Sequence, residues 1–194
     1  MRPDDLFALL NERWGHARWL GDLQTAAHMC LLGGGGRSEL LSELTREWMS
    51  SRPKGPWLLF LADRADDFLS LCRPEHERTW IERMFASLTD HAIYNALLAD
   101  YTAEGAILDA RRRRARNALV HGNPVSFAVV ESVRGYAEFT SSTALYIALE
   151  AFVDSDDPTA ALSERTEEFT AMSAGQDAAS YWRARFAAVD WSGA

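Results

Sequence analysis

The chain has 194 residues, 47% of them apolar, and a formal net charge of −8, which suits a single globular domain with its own core and excludes broad, sequence-blind nucleic-acid binding over a basic surface. No run of about 18 consecutive apolar residues spans a bilayer, and no charged segment followed by an apolar stretch opens the chain, so a cytoplasmic protein is expected. Cys30 and Cys72 lack a C-x-x-C spacing and read as buried thiols of a reducing compartment.

In chain order, Pro3 with Asp4 and Asp5 starts a helix whose apolar stripe is Leu6, Phe7, Leu9, Leu10 and Trp14. A second helical stretch is predicted from about Asp22 to Leu32, ended by the glycines from Gly33 to Gly36. Those glycines lack the Lys-Ser/Thr and the preceding strand of a phosphate loop, so they read as a turn. Ser38 is an N-cap for a helix carrying Leu40, Leu41, Leu44 and Trp48, closed by Pro53, Gly55 and Pro56. The run Trp57 to Leu61 opens a buried helix reaching Leu71, with a short buried strand as the alternative.

After Arg73-Pro74, the residues Trp80, Ile81, Met84, Phe85, Leu88, Ala92 and Tyr94 to Leu98 recur with a period near 3.6 and predict one central helix. Another helix follows from about Ala103 to His121, stopped by Gly122-Asn123-Pro124, with Pro124 in the first turn of the next. That next helix carries apolar residues from Val125 to Phe152. Asp154 to Asp157 is an acidic loop, Asp157-Pro158 opens a further helix, and Gly175 separates it from a last one ending near Val189. The expected fold is all-α, a bundle of about six or seven helices.

The chemistry concentrates in one segment. Arg116-Asn117-Ala118-Leu119-Val120-His121 places an arginine and a histidine five positions apart, preceded by Arg111, Arg112, Arg113 and Arg114. An imidazole moves a proton near neutrality, and a guanidinium holds an electron-rich phosphorus centre, a pairing suited to a phosphodiester. His16, His28, His76 and His91 show no H-E-x-x-H or paired Cys-His spacing, so no metal and no cofactor are expected.

This segment, at the end of a helix and followed by Asn123-Pro124, resembles the motif of the HEPN superfamily: an arginine, four to six residues and a histidine, commonly with a polar residue after the arginine, here Asn117. The likeness is strongest over roughly residues 103–153. It implies a single HEPN-like helical domain over residues 1–194, with a motif-bearing core at roughly 75–153 and C-terminal helices at 158–189. It also implies a homodimer in which two motif copies meet, and metal-independent ribonuclease activity as a toxin or defence effector. A nucleotidyltransferase-like antitoxin is the implied protein partner. Other members only bind, so a non-catalytic dimer that holds a nucleotide, RNA or a partner protein is the alternative, and a plain helical scaffold is a third.

On a regular helix, Leu108, Ala115 and Leu119 share a core-facing stripe, whereas Arg113, Arg114, Asn117 and His121 fall on the other side. Arg116 and His121 lie about 140° apart, so a rigid helix cannot aim both at one phosphate. Either the helix unwinds at Val120 to Gly122, or the site combines Arg116 and His121 from two copies across a two-fold axis. In the ribonuclease reading His121 transfers protons, Arg116 stabilises charge on the nonbridging oxygens, and Asn117 orients the imidazole or bonds a phosphate oxygen. Arg112, Arg113 and Arg114 are the candidate RNA contacts. The competing reading of the arginine run is a solvated face paired with acidic residues, and that of Arg116 and His121 is a surface arginine and a histidine complementing the helix dipole.

Overall fold

A computed structural model of the chain describes residues 3–33, 39–51, 57–73, 75–154, 157–164 and 177–187. Every regular element among them is a helix: α1 (Pro3–Gly33), α2 (Glu39–Ser51), α3 (Trp57–Asp63), α4 (Ala65–Leu71), α5 (Glu75–Ala86), α6 (His91–Val120), α7 (Phe127–Asp154), α8 (158–164) and α9 (Ala178–Ala187). The all-α class is therefore as the periodicity predicts. The glycine turn after Gly33, the Ser38 cap, the Pro53 to Pro56 stop, Pro74, the centre of the acidic loop, Gly175 and the end near Val189 lie outside the described residues.

The helix boundaries differ from expectation in four places. The first two predicted helices are one, because α1 runs unbroken through Gly15 and Gly21. A Cβ on Gly15 would stand 3.0 Å from Thr102 Oγ1 on α6, so glycine is kept there for close helix packing and not as a breaker. The predicted helix from Trp57 is two short ones, divided at Arg64, whose φ of −115° and ψ of 17° leave the helical range. Arg64 holds Glu47 at 3.0 Å, Glu43 at 2.9 Å and Asp67 at 2.5 Å.

The central helix expected from Trp80 to Leu98 breaks after Ala86. Asp90 restarts the chain as an N-cap, its Oδ1 accepting the N–H groups of Ala92 at 2.8 Å and Ile93 at 3.2 Å. The second half of that pattern then fuses with the motif helix into the 30-residue α6. Finally, Pro124 lies in a four-residue link without regular structure, and α7 starts three residues later behind Ser126, whose Oγ accepts the Val129 N–H at 3.4 Å. Asp157 does cap α8 as predicted, accepting the Thr159 N–H at 3.1 Å.

The chain forms two compact units. One comprises residues 1–19 and 98–170, the other residues 20–97 and 171–194, so α1 and α6 each contribute to both. In the second unit the core surrounds Trp48, buried against the rings of His28, Trp57 and Phe68, with Phe68 stacked on Phe85 at 5.6 Å. The Trp48 indole N–H donates to His28 Nε2 at 3.2 Å. Cys30 and Cys72 are both buried free thiols here. Burial first, and the neighbouring Cys72 second, push the Cys30 thiol up to about 12, which suppresses its thiolate at neutral pH.

The first unit carries the motif. Its core joins Leu10 of α1, Ile147 of α7 and Leu162 of α8, with Trp14 packed edge-on against Tyr136 at 5.3 Å and Phe139 at 5.4 Å. Gly105 of α6 makes room for Trp14, since a Cβ there would lie 2.9 Å from its Cδ1. The Tyr136 hydroxyl donates to Asn11 Oδ1. Burial, then the Asp109 carboxylate, raise that phenol to about 12, against the opposing pull of Arg112 and Arg113.

His16, in the same unit, is 2% exposed, and burial followed by the Arg13 charge lowers its pKa to about 4 from an ordinary 6.5. Between those two values the unfolded chain binds a proton that the folded chain refuses, so stability is complete above pH 6.5 and is lost as pH falls toward 4. Thermal unfolding at stepped pH should show wild type losing roughly 3 kcal/mol more than His16→Gln across that window. Parallel curves would mean that His16 titrates normally.

Candidate functional site

The end of α6 is built by three backbone hydrogen bonds. The His121 N–H donates to the Asn117 carbonyl at 3.1 Å, the Gly122 N–H to Leu119 at 3.1 Å, and the Asn123 N–H to Ala118 at 2.8 Å. The last two form the paired six-to-one and five-to-two closure that ends a helix in a left-handed residue. Gly122 supplies it with φ +72°, a region that costs any side chain with a Cβ. His121 is thus the C-cap, held on the helical spiral by its bond to Asn117.

Helical hydrogen bonding persists through His121, so local unwinding does not swing His121 toward Arg116. Both residues are exposed, and the helical offset keeps them about 140° apart. The polar atom beside Arg116 is its neighbour's, with Nη1 donating to Asn117 Oδ1 at 3.4 Å. Within one chain, Asn117 therefore sits beside the guanidinium as well as one turn before the imidazole.

The arginine run divides in two. Asp109 is 1% exposed, and its carboxylate accepts from Arg112 Nε at 3.0 Å, from Arg112 Nη2 at 2.7 Å and from Arg113 Nε at 2.7 Å. Both guanidiniums also lie over the Phe7 ring, 5.2 and 5.7 Å from its centroid. These two arginines hold a buried carboxylate against α1. The signal was available in sequence, because Asp109 precedes Arg112 by three and Arg113 by four residues, the spacing at which helical charges meet.

Removing Arg112 strands most of a buried charge, and Arg112→Met should lower the stability of this unit by about 2–3 kcal/mol. Arg111→Met and Arg114→Met, at exposed positions, should each change it by less than about 0.5 kcal/mol. Denaturant unfolding of the three variants measures the contrast, and equal losses would contradict the division. Arg111 and Arg114 instead line a cleft of about 340 Å³ with Ala128, Val129 and Ser132 of α7.

Around the motif the surface is apolar. Leu119 is 61% exposed, Val120 66% and Phe127 78%. The core role expected for Leu119 is thus corrected: Ala115, one turn earlier, is buried on that stripe, but Leu119 in the last turn of α6 is exposed. On α7, Leu145, Leu149, Phe152 and Val153 are also exposed, opposite a buried row of Tyr136, Thr140, Ile147 and Ala151. A helix apolar on both sides is suited to burial on both.

Among the described residues no group of three or more His, Cys, Asp and Glu side chains is placed to hold a metal ion, and no helix is long and apolar enough to cross a membrane. Comparison of the chain with protein families, curated proteins and solved structures finds no match. The resemblance to the HEPN superfamily accordingly rests on the motif and its setting at a helix end.

Proposed function

We propose that the chain is a metal-independent endoribonuclease that works as a homodimer, with His121 of one subunit and Arg116 of the partner subunit acting on one phosphodiester. The observation that carries this reading is that Leu119, Val120 and Phe127 are exposed apolar residues next to or just beyond two exposed but divergent motif residues. A two-fold contact made through these apolar residues would bury them and bring two copies of the motif together. Divergence within one chain becomes convergence between two.

In such a site His121 removes the proton of a ribose 2′-hydroxyl as the 2′-oxygen attacks phosphorus. The 5′-oxygen leaves and takes a proton from solvent water, giving a 2′,3′-cyclic phosphate and a 5′-hydroxyl, and the His121 imidazolium returns its own proton to solvent. Arg116 stabilises the charge growing on the nonbridging oxygens, and Asn117, bonded to Arg116, sets the guanidinium's direction. With a net charge of −8 over the whole chain, RNA contact is confined to this cationic strip. A role as a toxin or defence effector, held in check by a nucleotidyltransferase-like antitoxin, follows from the family resemblance.

The test is incubation of purified protein with RNA in excess chelator. Cleavage to cyclic-phosphate ends is expected, with a loss of about a hundred- to ten-thousand-fold in rate for His121→Ala. RNA left intact by the wild type would remove the enzyme. The non-catalytic dimer then takes its place, and it requires that RNA or nucleotide affinity survive His121→Ala.

A further inference from the structure

We infer that the cleft lined by Arg111, Arg114, Ala128, Val129 and Ser132 is a second phosphate subsite, which holds a neighbouring phosphodiester of the RNA strand whose scissile bond lies at His121. The cleft opens on α6 and the first turns of α7, a separate place from the motif. The identity of the strand rests on the ribonuclease reading, whereas the anion preference rests on the cleft alone.

Charge makes the first argument. In a chain of net charge −8, Arg111 and Arg114 form no ion pair with any described residue. The positions three and four residues away from them on α6 are Ile107, Leu108, Ala110, Ala115, Asn117 and Ala118, none of them acidic. Two carboxylates close to the cleft residues in sequence are engaged elsewhere: Asp109 by Arg112 and Arg113, and Glu131 by Arg134 at 2.8 Å. Two like charges three residues apart on one helix repel, and an anion between them removes that repulsion.

The wall opposite, Ala128, Val129 and Ser132, carries no competing charge. The Ser132 hydroxyl donates to the Val129 carbonyl at 2.8 Å, so recognition falls to the two guanidiniums. Such a donor set suits a phosphate oxygen.

Register makes the last argument. Arg114 and His121 are seven residues apart, about 20° around the helix and about 10 Å along it. Arg114 therefore shares the exposed stripe of His121 that Arg116 does not. A strand bound at His121 and running back along α6 meets this cleft next.

The experiment measures binding of a short single-stranded 2′-O-methyl RNA, which no 2′-hydroxyl attack can cleave, by fluorescence anisotropy at several salt concentrations. The double variant Arg111→Gln/Arg114→Gln should bind about tenfold or more weakly, with the salt slope reduced by about 0.7 for each phosphate that the variant no longer neutralises. Ala128→Glu, which keeps both guanidiniums but puts a carboxylate in the cleft, should weaken binding similarly. Arg134→Gln, on the same helix but paired, should bind as wild type does.

Equal weakening by Arg134→Gln would reduce the effect to general charge attraction and overturn the subsite. Unchanged RNA affinity in the double variant, with loss only of inorganic phosphate binding, would assign the cleft to the free ion and overturn the strand. Cleavage is scored separately. A chain that binds with this arginine dependence yet cuts nothing loses its catalytic role and keeps the subsite, and one that cuts RNA equally well without Arg111 and Arg114 does the reverse.

Discussion

Mixing Arg116→Ala with His121→Ala should restore ribonuclease activity that neither variant has alone. Each substitution removes one of two groups that the helix holds about 140° apart, so each homodimer lacks that group in both sites. A mixed dimer differs. One of its sites combines His121 from the first chain with Arg116 from the partner subunit, and the other lacks both. Random exchange makes half the dimers mixed, so recovery approaches about a quarter of wild-type activity, measured against a single-variant background lower by about a hundredfold or more. No recovery after verified subunit exchange would place both groups of each site in one chain, which α6 can satisfy only by breaking the Asn117 to His121 hydrogen bond at its end.

Leu119→Asp combined with Phe127→Asp should dissociate the protein and silence it without unfolding it. Both side chains are largely exposed in the single chain, so the fold has little to lose. The dimer has much more. Burying a side chain of this size contributes roughly 1.5–3 kcal/mol, and two-fold symmetry counts each substitution twice, so a loss on the order of 6 kcal/mol weakens association by about ten-thousandfold. Analytical ultracentrifugation of wild type and variant, with RNA cleavage assayed on the same samples, reads both effects. Wild-type protein that sediments as a monomer while cleaving RNA would sink the two-copy site, as would a variant that loses the dimer and keeps its rate.

The locations of the candidate groups were legible in the chain. The helical run from Ala103, the stop at Gly122 and the exposure of Arg116, Asn117 and His121 follow from short-range rules, because a helix end is decided within a few residues: Gly122 alone supplies the positive φ that closes α6. The fusion of α6 across Leu98 to Ala103 was not legible, since the decisive residue, Asp90, caps from outside a pattern whose apolar period continues through the break. The same holds for α1. Two separate helices are expected there, and the close approach of Thr102 on α6 explains why a glycine sits at position 15 inside one continuous helix.

The arginine run marks the limit of sequence reading most sharply. The spacing of Asp109 from Arg112 and Arg113 permits a pairing, yet the run by itself reads Arg112, Arg113 and Arg114 as the RNA contacts. Burial of Asp109 makes that pairing binding, committing Arg112 and Arg113 to its carboxylate and leaving Arg111 and Arg114 to the cleft beside α7. His16 makes the same point, as one of four histidines without a motif until packing around it lowers its pKa.

By itself, the order of residues determined the helical class, the point where α6 ends and the chemistry available there, because these depend on backbone preferences and on neighbours three or four positions away. Tertiary structure alone decided that Asp109 is buried and so keeps its two arginines, which apolar residues stay uncovered and which histidine is held neutral. Those properties depend on how much water and which charge each group meets once distant segments pack against it.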